Sequence, residues 1–111
     1  MTQIIINREQ LFLSTEGHSG SAPAGQDIIC AGVSALTLAL LNTLRAEEEK
    51  RQFRLSWGMG PGKLHIKVNP KEGRFNQEAR ERIQDYFQVV ETGLKALEEE
   101  YPANIIIIEE V

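Results

Sequence analysis

The chain carries one cysteine, Cys30, and two histidines, His18 and His65. Cys30 and His18 stand at the two ends of one small-residue stretch, GHSGSAPAGQDIIC, residues 17–30. A thiol becomes a nucleophile as the thiolate, and an imidazole can take its proton and return it to a leaving group. The stretch therefore holds the two groups that cysteine-dependent acyl transfer requires. The plain alternative is a small buried cysteine in an apolar helix, beside a solvated histidine.

The surroundings bear on that choice. Asp27 suits the N-cap of a helix, because its carboxylate can accept from the first free backbone N–H groups. Cys30 then falls in the first helical turn, where the unpaired N–H groups and the helix dipole favour negative charge. His18 lies twelve positions earlier, across a loop rich in glycine, alanine and serine. Such a loop can return the histidine to the helix start and let a substrate backbone approach closely. Ser34 follows Cys30 by one turn on the same face and suits a supporting hydrogen bond. His65 stands between Lys63 and Lys67 on the polar side of a strand and reads as surface. One cysteine and two histidines show no metal-ligand spacing. The segment GMGPG lacks the lysine and following helix of a phosphate loop and fits a hairpin.

The elements that must position these groups follow from patterning. The segments 3–6, QIII, and 10–16, QLFLSTE, read as two strands. Asp27 opens an apolar helix, IICAGVSALTLALLNTL, whose Gly32 suggests close backbone packing. The segments 51–57 and 63–69 alternate as strands, the first with Phe53, Leu55 and Trp57 on one face, the second with Leu64, Ile66 and Val68 facing in. A second helix, from about Asn76 to Glu100, carries one stripe: Ile83, Phe87, Val90, Leu94 and Leu97. The four isoleucines after Asn104 read as a strand buried on both faces. The order β-β-α-β-β-α-β predicts a single α/β (α+β) sandwich over residues 1–111, one mixed sheet with two helices packed on it.

Composition narrows the function classes. The 111 residues carry a net charge of −4, which argues against direct nucleic-acid binding. A lone cysteine excludes an internal disulfide and leaves no partner to resolve a mixed one, so redox catalysis is disfavoured. The N-terminus lacks the pattern of a signal peptide, and no uninterrupted apolar run reaches the ~20 residues of a membrane span. The expectation is a cytoplasmic protein with no membrane contact, no metal and no cofactor.

The stretch GHSGSAPAGQDIICAGVSAL resembles the signature of the Prp family of bacterial ribosomal-processing cysteine proteases. Gly17-His18 and the run Asp27-Ile28-Ile29-Cys30-Ala31-Gly32-Val33-Ser34 carry the resemblance, and element order and length match from end to end. Ser19 and Gly32 stand where that family usually has alanine. The resemblance implies Cys30 as nucleophile and His18 as general base and acid. It implies cleavage of the short N-terminal extension of a large-subunit ribosomal protein, after an aromatic pair, by a homodimer needed for ribosome assembly. Asp27 would cap the helix or orient His18, and Gly17 would support the site. Ser19, Gly20, Ser21, Ala22, Pro23, Ala24, Gly25 and Gln26 would line the substrate cleft as a mobile loop. Two other readings share these residues: a non-catalytic factor that binds the same peptide, and a thioesterase or amidase with the same cysteine chemistry.

Overall fold

The computed structural model describes residues 1–17 and 27–110, with Asp27 described by its backbone alone. Seven elements follow in order: β1 (Thr2–Asn7), β2 (Phe12–Glu16), α1 (Asp27–Glu47), β3 (Phe53–Gly60), β4 (Lys63–Pro70), α2 (Gln77–Glu100) and β5 (Ile105–Glu109). The strands form one sheet in the order β3-β4-β2-β1-β5. β1 and β5 run parallel, and the other neighbours are antiparallel. This is the expected mixed sheet with two helices.

Both helices cover the same face. Ile4, Ile6, Leu13, Ile66 and Val68 of the sheet meet Ile29, Val33, Leu40, Leu41 and Leu44 of α1 and Ile83, Phe87, Val90 and Leu94 of α2 in one core. The period-2 and 3.6-residue apolar patterns of the chain are thus satisfied on a shared interior. Each helix places a glycine under a leucine of the other. A methyl group on Gly32 would come within 3.0 Å of Leu97 Cδ1, and one on Gly93 within 2.9 Å of Leu36 Cδ2. The close approach anticipated at Gly32 is therefore reciprocal. Asn76 caps α2, its side-chain oxygen accepting from the Ala79 N–H at 2.8 Å.

Several boundaries differ from the sequence expectation for a backbone reason. Leu11 and Gln52 adopt φ of 54° and 62°. Neither is extended, so β2 begins at Phe12 and β3 at Phe53. β3 then runs on to Gly60, because Pro61-Gly62 suffices as the turn. Gly62 has φ of 68°, and Pro-Gly at the central positions suits a type II turn. The five-residue link expected between these strands is thus two residues long.

Two expectations are corrected. β5 is an edge strand, not one buried on both faces: Ile105 is buried, but Ile106 and Ile108 are 42% and 37% exposed on the uncovered face. A strand paired on one side only, in a sheet covered on one face, cannot bury alternate side chains. The second concerns apolar length. The segment Ile28–Glu47 is long and apolar enough by composition to cross a membrane, which the interrupting polar residues had argued against. In this fold its Ile29, Val33, Leu40, Leu41 and Leu44 lie in the core.

Candidate active site

Cys30 sits in the first turn of α1 and is half-buried. The aspartate opens the helix, and the apolar run holds Ile29 and Val33 in the core on either side of the thiol. That anchoring turns Cys30 toward a cleft of about 220 Å³ on the covered side of the sheet. One wall is α1, through Cys30, Ser34, Thr37 and Leu38. The opposite wall is the tip of the β3–β4 hairpin, through Met59, Gly60, Gly62, Lys63 and Leu64. Thr2, Thr15 and Gly17 close the end between the strands.

Gly17 is fixed tightly. Its N–H donates to the Gly62 carbonyl at 2.9 Å, which joins the end of β2 to the hairpin tip. Its φ is 115°, and a Cβ there would lie 2.3 Å from the Met1 carbonyl oxygen. Conformation and space both demand glycine. The chain therefore leaves β2 at a defined point on the cleft wall, one peptide before His18.

Of the residues singled out in the sequence, the cleft brings together Cys30, Ser34 and Gly17. His18 and the loop residues Ser19, Gly20, Ser21, Ala22, Pro23, Ala24, Gly25 and Gln26 lie outside the described residues, as does the side chain of Asp27. His65 does not reach the cleft. It alternates with the buried Leu64 and Ile66 and points to the uncovered face, where its ring lies over Gly58. A Cβ on Gly58 would meet His65 Cε1 at 2.4 Å. With His65 on the wrong face, His18 is the one histidine of the chain in sequence reach of Cys30.

The polar groups of the cleft divide by role. The Thr37 hydroxyl donates to the Val33 carbonyl at 2.8 Å, so it serves the helix. Ser34 is exposed to the cleft one turn from Cys30. The first N–H groups of α1 lack intrahelical acceptors, and the helix dipole favours negative charge at this end. Among the described residues, no group of His, Cys, Asp or Glu is arranged to hold a metal ion. Sequence reasoning missed Thr2, Thr15, Leu38 and Met59 as cleft residues. Met59 was legible in part: it continues the Phe53–Leu55–Trp57 alternation by one more step.

A family model described as "Cysteine protease Prp" matches residues 1–106. A curated relative, the ribosomal processing cysteine protease Prp of Mycoplasma genitalium, is 29% identical over 107 residues, covering 96% of each chain. Among solved structures, an essential ribosomal processing protease Prp from S. aureus in complex with a substrate peptide superposes with a TM-score of 0.75 at 22% identity, covering 99% of this chain and 100% of that one. The same protease with a covalently linked product peptide gives 0.73 at 25% identity, with the same coverage. SMU.848 from Streptococcus mutans gives 0.65 at 24% identity, covering 98% of this chain and 93% of that one.

Proposed function

The chain belongs to the Prp family of cysteine proteases, and we propose that it removes the short N-terminal extension of a large-subunit ribosomal protein, cutting after an aromatic pair, with Cys30 as nucleophile and His18 as general base. The observation that carries this reading is the cleft that α1 presents to Cys30 at its N-terminal end, bounded by the glycine that precedes His18. The matched family is one of cysteine proteases, and the relatives are named for ribosomal processing.

In the proposed mechanism His18 takes the thiol proton of Cys30. The thiolate attacks the scissile carbonyl carbon, and the C–O π electrons move onto oxygen. Backbone N–H groups of the Gln26–Cys30 segment, at the positive end of α1, stabilise the oxyanion. The tetrahedral intermediate collapses, the C–N bond breaks, and His18 returns its proton to the leaving amine. Water, deprotonated by His18, then attacks the thioester and releases the new C-terminus with the regenerated thiol. Asp27 stands at the start of α1, where it serves the helix end or orients His18, and Ser34 supports the thiol from the next turn. The residues 19–26 line the substrate path. The reading includes a homodimer working in the cytoplasm.

The test is incubation with a peptide spanning the extension and the first residues of the mature ribosomal protein. Two products, separated at the bond after the aromatic pair, are expected by mass spectrometry. Cys30→Ser is expected to yield none. An intact peptide with the wild-type protein, or cleavage by Cys30→Ser, overturns the assignment.

A further inference from the structure

The outer edge of β3 is closed along one part and open along the next. In the β3–β4 hairpin the two-residue turn makes Gly60–Lys63 a hydrogen-bonded pair, so Gly58, Ser56 and Arg54 also turn their main chain toward β4. The main-chain groups of Phe53, Leu55, Trp57 and Met59 therefore point outward. The structure agrees at the first two: the Phe53 N–H donates to the Glu48 carbonyl at 3.2 Å, and the Leu55 N–H to Glu48 Oε2 at 2.6 Å. Glu48, just beyond α1, thus seals that part of the edge. Trp57 and Met59 have no such N–H partner among the described residues.

The same two residues expose large apolar side chains on the covered face. Trp57 is 40% and Met59 60% exposed, and the Arg45 guanidinium lies 5.0 Å over the Trp57 ring. Met59 also lines the cleft of Cys30. Opposite it, Cys30, Ser34 and Leu38 form one stripe along α1 at spacings of four, spanning about 12 Å. The open edge and the catalytic cleft are thus one continuous surface, joined at Met59.

We propose that Trp57–Met59 receives an extended flank of the substrate as an added strand, with one apolar substrate side chain seated between Met59 and Leu38. The proposal rests on the reading of the chain as a protease of extended peptides. Added strands gain affinity from main-chain pairing and specificity from alternate side chains. Two outward residues serve two facing substrate residues, and Glu48 closes the next position. That length fits a peptide and is short for a sheet-to-sheet joint between two copies. The aromatic pair would be read at Cys30, and this second contact would read an apolar residue at a distance from the scissile bond.

The experiment uses the full chain, the extension peptide, and analogues N-methylated at one amide each. On one flank, methylation at two amides two residues apart is expected to raise KM about tenfold each, with kcat kept, while the amide between them tolerates it. Equal loss at three consecutive amides, or no loss anywhere, overturns the proposal. A parallel titration with Cys30→Ser removes turnover and follows the fluorescence of Trp57, the only tryptophan. The parent peptide is expected to change its emission at saturation, and the two sensitive analogues to bind about tenfold more weakly. Saturable binding with unchanged emission overturns the proposal. So does emission that changes with protein concentration alone, which would assign this edge to a second copy. Cleavage of the parent peptide with no alternation leaves the protease reading standing without this contact; absence of both cleavage and binding overturns both.

Discussion

Gly17 donates its backbone N–H to the carbonyl of Gly62 at 2.9 Å, and this bond ties the exit of β2 to the tip of the β3–β4 hairpin. Both residues have positive φ and both line the cleft of Cys30. Gly17→Ala is expected to impose a left-handed strain of roughly 1–3 kcal/mol and to push on the Met1 carbonyl. The melting temperature falls and kcat/KM falls by at least about tenfold, measured with the extension peptide. Gly60→Ala is the control: a Cβ there meets nothing within 4 Å, and both values stay near wild type.

Cys30→Ser and His18→Gln are each expected to lower kcat by at least about a thousandfold while the circular dichroism and melting temperature stay near wild type. His65→Gln is expected to keep activity within about twofold, because His65 lies on the uncovered face. Activity lost in the His65 variant and kept in the His18 variant would reverse the assignment.

The crossing of α1 and α2 at Gly32 and Gly93 predicts a size-dependent response. Gly32→Ala gains about 1 kcal/mol of helix propensity, which offsets the displacement of the Leu97 terminus, so its stability is expected within about 1 kcal/mol of wild type. Gly32→Leu cannot be absorbed by one side-chain end and is expected to cost roughly 1–3 kcal/mol in chemical denaturation.

Glu47 predicts an acid-side dependence of stability. Burial is the largest influence and opposes its charge. Hydrogen bonds from Tyr86 and Arg51, with the charges of Arg51 and Lys50, outweigh that and hold its carboxyl below the usual range. A depressed folded-state pKa means stability fully present above the unfolded value, near 4.3, and lost as pH falls through the folded value. Glu47→Gln is expected to lose about 1–2 kcal/mol at pH 7. The gap to wild type should narrow steadily below about pH 4. A gap unchanged down to pH 3 would deny Glu47 this role.

The edges predict solubility. The Ile107 N–H of β5 donates to Glu98 Oε2 at 2.8 Å, as the Leu55 N–H of β3 donates to Glu48. Both outer strands are thus sealed at one point by a glutamate. The double variant Glu48→Ala, Glu98→Ala is expected to associate at lower concentration than wild type, measured by light scattering.

Local chemistry was readable wherever one residue type answers one local need. The alternation of Leu64, Ile66 and Val68, the stripe of Ile83, Phe87, Val90 and Leu94, and the cap at Asn76 each follow from a single period or a single unpaired N–H group. The thiol in the first turn of α1 belongs with these, because its position depends only on where the helix starts. Positive φ at Leu11 and Gln52 was not readable, since neither residue prefers it and the fold imposes it; the strand starts shifted accordingly.

What the sequence determined by itself is the set of elements and the presence of one cysteine and one histidine at the two ends of a glycine-rich stretch. What only the tertiary structure decided is neighbourhood. Four isoleucines in a row say apolar strand, but only sheet order makes β5 an edge with Ile106 and Ile108 outward. The alternation with Leu64 and Ile66 put His65 on the polar side of its strand, but only the packing of α1 on the opposite face of the sheet separates it from Cys30. Likewise Gly17 and Gly62 are forty-five positions apart (62 − 17). Their bond exists because β2 and β4 are neighbours in the sheet, a long-range pairing that no local pattern encodes.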